Sequence, residues 1–141
     1  MTGRSTSEPS GLVRAVAAKG LRGSSLKLPS KPLESADFSK LRVSVWFQRL
    51  DGLLAAAVHD NDLPVTPEQL EEVLTAHADA MKVCLALEGD LLEIAAVLDQ
   101  RGIGHRVLKG PAFAQLDYPD PALRVFGDID LLVRSDDFDA A

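Results

Sequence analysis

Between Leu70 and Leu98 the chain carries a stripe with three- and four-residue spacing: Leu70, Val73, Leu74, His77, Met81, Cys84, Leu85, Leu91, Leu92, Ala95 and Leu98. That period traces one face of a long helix. Its start is marked by Thr66-Pro67-Glu68-Gln69, where Thr66 serves as cap, Pro67 suits the first turn and Gln69 completes a capping box. Gly89-Asp90 predicts a kink or break, and Arg101-Gly102 predicts the end, with a cation and a glycine in the expected places. An earlier stripe, Leu41, Val45, Trp46, Arg49, Leu50, Leu53, Leu54 and Ala57, predicts a helix from about Asp37 to Val58 with those residues on its buried side. After residue 102 the pattern changes. His105-Arg106-Val107-Leu108-Lys109-Gly110 reads as a short strand closing on a glycine, Pro111 to Leu116 as a helix with proline in its first turn, and Gly127-Asp128-Ile129-Asp130-Leu131-Leu132-Val133 as a second strand. The expectation is an α+β fold, helices first and then two strands, with the helical residues covering a sheet too small to stand alone. In that setting Trp46 is expected to be packed in the core.

The domain organisation follows the same division: a leader over 1–36, a helical region over 37–102, and a strand-turn-helix-strand segment over 103–141. The leader is rich in Ser, Gly, Lys and Pro; Leu12 to Ala18 is the one stretch with helical character, and Gly20, Gly23, Pro29 and Pro32 punctuate the rest. Its basic, acid-poor composition is that of an organellar transit peptide, but Glu8 and the Gly and Pro residues favour a flexible tail. Residues 1–36 hold six Lys or Arg against two Glu, and residues 37–141 hold nine against nineteen Asp or Glu, so +4 and −10 make up the net −6. An acidic body argues against duplex binding, which depends on clustered Lys and Arg. No apolar stretch approaches the roughly 20 residues needed to span a bilayer, and no internal repeat is visible. Cys84 is the single cysteine, which excludes an internal disulfide and a zinc cluster and fits a reducing cytoplasm.

Chemistry is proposed at one place, Asp128-Ile129-Asp130. In a strand, alternate side chains share a face, so Ile129, Leu131 and Val133 are expected to face a core while Asp128 and Asp130 project together, with Cα atoms roughly 6.5 Å apart. Two anions so placed are suited to a divalent cation such as Mg²⁺ or Mn²⁺. The competing reading is an ordinary acidic strand edge. Upstream, Gly110 at a strand-to-helix corner lets the backbone approach a ligand, the helix start favours an anion although Pro111 removes one N–H donor, and Lys109 and Arg124 offer positive charge to a phosphate. Taken singly, each of these two cations also reads as surface charge.

Leu108-Lys109-Gly110-Pro111-Ala112, Tyr118-Pro119-Asp120-Pro121, Arg124 and Gly127 to Val133 fall in order between residues 108 and 133, and together they resemble the uncharacterised nucleotidyltransferase family of the polymerase-beta-like superfamily. The resemblance is less sharp over Trp46 to Gly102 and does not extend to 1–36. It implies the first two strands of a mixed nucleotidyltransferase sheet, an NTP held with Mg²⁺ or Mn²⁺, attack of an acceptor on the α-phosphorus, and departure of pyrophosphate. Asp128 and Asp130 then correspond to the catalytic metal-binding pair, and Lys109, Gly110 and Arg124 to the nucleotide-binding set. The acceptor implied is a protein, a small molecule or an RNA end. Two departures stand out: the superfamily's usual Gly-Ser turn is replaced by Lys-Gly, and its third carboxylate belongs to a later strand, whereas Asp136, Asp137 and Asp139 read as a helix start capped by Ser135. The expectation is therefore of the N-terminal portion of a longer, truncated enzyme, inactive or weakly active by itself. The alternative is a non-catalytic helical binding protein that keeps a remnant of the fold. His59, His77 and His105 lack partners at metal-ligand spacing and read as surface or core residues.

Overall fold

The computed structural model describes residues 9–141, and the chain divides into two compact units, one ending at Ala78 and the other beginning at Asp79. The first contains α1 (Pro9–Ala17), α2 (Ser35–Phe47), α3 (Asp51–His59) and the start of α4 (Pro67–Gln100). Its core collects Leu12, Val13 and Val16 from α1, Phe38, Leu41 and Val45 from α2, and Leu53, Leu54 and Ala57 from α3. Helix α1 packs on both α2 and α3. Within the segment read as a flexible leader, residues 9–17 are thus a packed helix, because Leu12, Val13 and Val16 lie on one helical face and find apolar partners. Residues 1–8 of that leader lie outside the described residues.

The single helix expected from Asp37 to Val58 is two. Arg49 has a positive φ of 57°, and the Leu50 N–H donates to the Val45 carbonyl at 2.9 Å, the bonding of a left-handed helix end that satisfies otherwise orphaned carbonyls. The break re-phases the pattern. Helix α2 buries Phe38, Leu41 and Val45 (positions i, i+3 and i+7), whereas Trp46 stands about 100° around the helix from Val45 and is 69% exposed. Trp46 is a surface residue, and Arg49 is exposed as well. Across the break, Arg42 of α2 donates to Asp51 of α3 at 3.0 Å.

Helix α4 begins as the capping box demands. The Thr66 N–H donates to Gln69 Oε1 at 3.1 Å and the Gln69 N–H to Thr66 Oγ1 at 3.3 Å. The helix runs through Gly89-Asp90 without interruption, 34 residues in all, or roughly 51 Å at 1.5 Å per residue. It takes part in both units and buries short stretches of its apolar stripe: Val73, Cys84 and Leu98 are buried, while Leu74, Leu85 and Leu92 are exposed. Gly102, at φ +70°, ends it, with the Ile103 N–H donating to the Leu98 carbonyl at 2.9 Å. Both of those side chains are buried, supplying the apolar contact that accompanies this cap.

The second unit adds β1 (His105–Leu108), α5 (Gly110–Leu116), a 3₁₀ turn over Pro121–Leu123, β2 (Asp130–Val133) and a 3₁₀ turn over Ser135–Asp137. The strands are antiparallel, with His105 opposite Val133, Arg106 opposite Leu132, Val107 opposite Leu131 and Leu108 opposite Asp130. Helices precede a two-stranded sheet, an α+β arrangement. The core of this unit is Cys84 from α4, Ala114 from α5, and Val125 and Phe126 from the segment leading to β2, with Ala80, Met81 and Leu87 packed against them.

Candidate functional site

Strand β1 stops at Leu108 because the next two residues turn sharply. Lys109 has φ 51° and ψ −143°, and Gly110 follows at φ +28°. A positive φ costs a non-glycine residue about 1–3 kcal/mol and persists only where the surroundings hold it. Here the Lys109 carbonyl accepts the Phe113 N–H at 3.1 Å, which fastens the corner to the first turn of α5. Gly110 is buried, and a Cβ placed on it would lie 3.0 Å from the Asp128 carbonyl oxygen and 3.7 Å from Phe126 Cβ. The glycine corner and the acidic segment are therefore in direct contact.

The Asp128 side of that contact is built from α4. Cys84 is buried, and its Sγ accepts the Phe126 N–H at 3.4 Å and lies 3.5 Å from the Phe126 carbonyl oxygen as donor. One thiol thus satisfies both main-chain polar groups of a buried residue two positions before Asp128. In the sequence Cys84 reads only as one member of a helical stripe and as a redox indicator. Its burial on that stripe was the available signal, but nothing in its spacing identified Phe126 as the partner.

Upstream of Phe126, Asp120 accepts the Ala122 N–H at 2.9 Å and caps the 3₁₀ turn that Pro121 opens. This gives the Tyr-Pro-Asp-Pro stretch a structural role, with Pro at the first position of a turn where its missing N–H is tolerated. Arg124 is half-buried at the end of that turn, its N–H donating to the Pro121 carbonyl at 3.1 Å. In sequence it stands four residues before Asp128, and its N–H hydrogen bond belongs to the 3₁₀ turn, not to the corner.

Asp130 opens β2 opposite Leu108, one residue before the corner. Its Oδ2 lies 3.5 Å from Lys109 Nζ, with the lysine side chain 71% and the aspartate side chain 46% exposed. Pleating puts Asp130 and Leu132 on one face and Leu131 and Val133 on the other, but burial does not alternate with it: Asp130, Leu131 and Val133 are half-buried and only Leu132 is exposed. Asp128 departs from the expectation: it is exposed and precedes the strand instead of lying within it. The β1–β2 ladder ends with Asp130 opposite Leu108, the last residue before β1 turns at Lys109, so Asp128 falls before the paired segment. Alternation fixes the facing of Asp130, while Asp128 is placed by the contact of its carbonyl with Gly110.

The structure therefore gathers Lys109, Gly110, Asp128 and Asp130 at one corner. Ser135, read as a helix cap, is instead the first residue of a single 3₁₀ turn whose N-cap is Arg134. His59 is exposed beside Asp60, and the half-buried His105 sits with Nδ1 3.4 Å from the Ile103 carbonyl oxygen. Among the described residues no group of three or more His, Cys, Asp or Glu could hold a metal ion. At this corner the Asp130 carboxylate stands beside the Lys109 ammonium, and Asp128 meets Gly110 through its main-chain carbonyl. None of the helices among the described residues is long and apolar enough to cross a membrane.

Comparison with known proteins adds one match. The model of a family described as uncharacterised nucleotidyltransferase matches residues 34–141. No curated protein and no solved structure matches the chain.

Proposed function

The chain belongs to the uncharacterised nucleotidyltransferase family, and from that premise we propose that the Lys109-Gly110 corner and the Asp128-Ile129-Asp130 segment bind a nucleoside triphosphate with Mg²⁺ or Mn²⁺ and direct transfer of its nucleotidyl group to an acceptor. The observation that carries this reading is the direct apposition of corner and acids: Gly110 against the Asp128 carbonyl and Lys109 against the Asp130 carboxylate. Two carboxylates beside a phosphate-binding cation match the way Mg²⁺ is usually held, through one or two protein carboxylates with substrate phosphates completing the shell. The Asp130 carboxylate faces an ammonium group at 3.5 Å, which supports a cation-facing role for it. A bound divalent ion supplies charge stabilisation for the entering and leaving oxygens of an in-line displacement at the α-phosphorus.

The chain's own residues supply position and charge. Asp128 and Asp130 provide the anionic face, with Asp130 fixed by its register opposite Leu108. Gly110 allows the corner to approach without a side chain between it and the acids. Lys109 offers its ammonium to the triphosphate. Helix α5 contributes little to phosphate binding, since it has seven residues and Pro111 removes one N–H. Arg124 supports the charge of the nucleotide from the end of the 3₁₀ turn. The acceptor is a protein hydroxyl, a small metabolite or an RNA end; an acidic body argues against duplex DNA.

The test is transfer of label from [α-³²P]NTPs, with Mg²⁺ or Mn²⁺, to the protein itself, to small-molecule extracts and to RNA ends. Metal-dependent transfer by wild type and its loss in Asp130→Asn, with unchanged helical content by circular dichroism, is the expected result. Undiminished transfer by Asp130→Asn removes that carboxylate from the mechanism. A second reading, a non-catalytic binding protein, draws on α2, where Val43, Trp46 and Phe47 are exposed at positions i, i+3 and i+4. A wild-type chain that binds neither Mn²⁺ nor NTP would favour it.

A further inference from the structure

Lys109 carries two conflicting assignments. It is the cation offered to the triphosphate, yet in this structure its ammonium rests 3.5 Å from Asp130, where a divalent ion would bind. We infer that Lys109 is the resident counter-ion of Asp130, which an arriving divalent cation displaces and thereby releases towards the nucleotide phosphates; this rests on the metal-binding reading proposed above.

Three observations carry the inference. The separation is longer than the roughly 2.7–2.9 Å of a charge-assisted hydrogen bond, so the pair is held by Coulomb attraction and not locked by directional bonding. Both side chains are substantially exposed, and exposed ion pairs are weak enough to exchange partners. The lysine backbone, in contrast, is held: its carbonyl accepts the Phe113 N–H, and the next residue is buried against Asp128 and Phe126. Exchange therefore needs only rotation of a flexible four-carbon side chain about a fixed Cα.

The electrostatics give the exchange a direction. While Lys109 neutralises Asp130 it competes with a divalent ion for the same carboxylate. Once that ion is bound, the ammonium faces a like charge and its favourable partner becomes the polyphosphate. Metal and nucleotide binding are then positively coupled, and by linkage the coupling is reciprocal. Lys109 opposes metal binding when nucleotide is absent and supports it when nucleotide is present.

Mn²⁺ binding to the full chain, followed by the electron paramagnetic resonance signal of free Mn²⁺, separates the two conditions. Without nucleotide, Lys109→Met is expected to bind Mn²⁺ about two- to fivefold more tightly than wild type, the range corresponding to an exposed ion pair. Lys109→Gly, which accommodates the positive φ and also lacks the charge, is expected to show the same gain, and Lys109→Arg to match wild type. With a non-hydrolysable ATP analogue present, the order of Lys109→Met and wild type reverses. A purely structural role for Lys109 does not produce opposite signs under the two conditions. If Asp130→Asn abolishes Mn²⁺ binding while Lys109→Met binds no more tightly than wild type without nucleotide, the counter-ion role is wrong and the metal site stands. If Asp130→Asn binds Mn²⁺ as wild type does, the metal reading itself fails, and this inference with it.

Discussion

Gly110→Ala tests the contact on which the site geometry depends. Alanine at φ +28° adopts a conformation that costs an L-residue about 1–2 kcal/mol. Its Cβ would also stand 3.0 Å from the Asp128 carbonyl oxygen, closer than carbon and oxygen normally pack. That neighbour is main chain and cannot swing aside, so relief requires the segment carrying Asp128 to shift by a few tenths of an ångström. Adding the strain to a packing cost of about 1 kcal/mol, at the low end for overpacked sites, gives a destabilisation of roughly 2–3 kcal/mol. Gly102→Ala provides the control within the same unit. Its φ is +70°, but a Cβ there meets nothing within 4 Å, so it carries the strain alone, about 1–2 kcal/mol. Urea unfolding should rank wild type above Gly102→Ala and Gly102→Ala above Gly110→Ala. Mn²⁺ affinity should fall in Gly110→Ala and stay at the wild-type value in Gly102→Ala. Equal stability and equal Mn²⁺ affinity in the two variants would refute the argument that Gly110 is required by its closeness to Asp128.

Three further outcomes follow from the packing and charge of the two units. Gly89 lies inside α4 with nothing within 4 Å of an added Cβ, so Gly89→Ala should stabilise by about 0.5–1 kcal/mol through helix propensity, read as a higher urea midpoint. Arg42→Ala leaves the Asp51 carboxylate, 4% exposed, without the guanidinium that stands 3.0 Å from it, and should cost about 2–3 kcal/mol by the same measurement. Asp60 accepts a hydrogen bond from Lys19 at 2.6 Å, which holds its carboxyl below the usual aspartate range, with a smaller contribution from His59. Because the folded value is depressed, its stabilising effect is complete above the ordinary aspartate pKa and disappears as pH falls through the lowered one. In Lys19→Met, carbon-detected NMR titration should place Asp60 closer to its ordinary value, and the acid-side slope of stability should flatten.

Legibility in the sequence tracked how local the responsible interactions are. The capping box at Thr66, the glycine stop at Gly102 and the proline-led α5 were readable because each depends on residues within five positions of one another. The break between α2 and α3 was not, since Arg49 does the work usually left to glycine and its signal, an apolar Val45 and Leu50 bracketing the turn, looks like continued helical periodicity. Trp46 was misplaced by the same error: joining two helices into one carried a single buried stripe past the point where the chain changes direction. In α4 the stripe was real but overextended, for a helix of 34 residues contributes to two units and buries only part of its apolar face in each.

The same distinction divides the candidate site. Asp130 was legible because strand pairing is periodic, and its register opposite Leu108 places it beside the Lys109 corner. Asp128 was grouped with it on the assumption that the strand extends through both, but strand length is set by the partner, and the partner turns away at Lys109. What places Asp128 instead is a chain of non-local contacts: Cys84 holding the main chain of Phe126, and Gly110 seated against Phe126 and the Asp128 carbonyl. These contacts join residues 42 and 18 positions apart, and no periodicity reports them. The two carboxylates consequently have different mechanical supports, one a sheet register and the other a buried thiol and a glycine. A Cys84→Ala variant should therefore loosen Asp128 while leaving the β1–β2 pairing intact. Amide hydrogen exchange can resolve the two: faster exchange at Phe126, without faster exchange in the β1–β2 ladder, is the outcome that this division of labour requires.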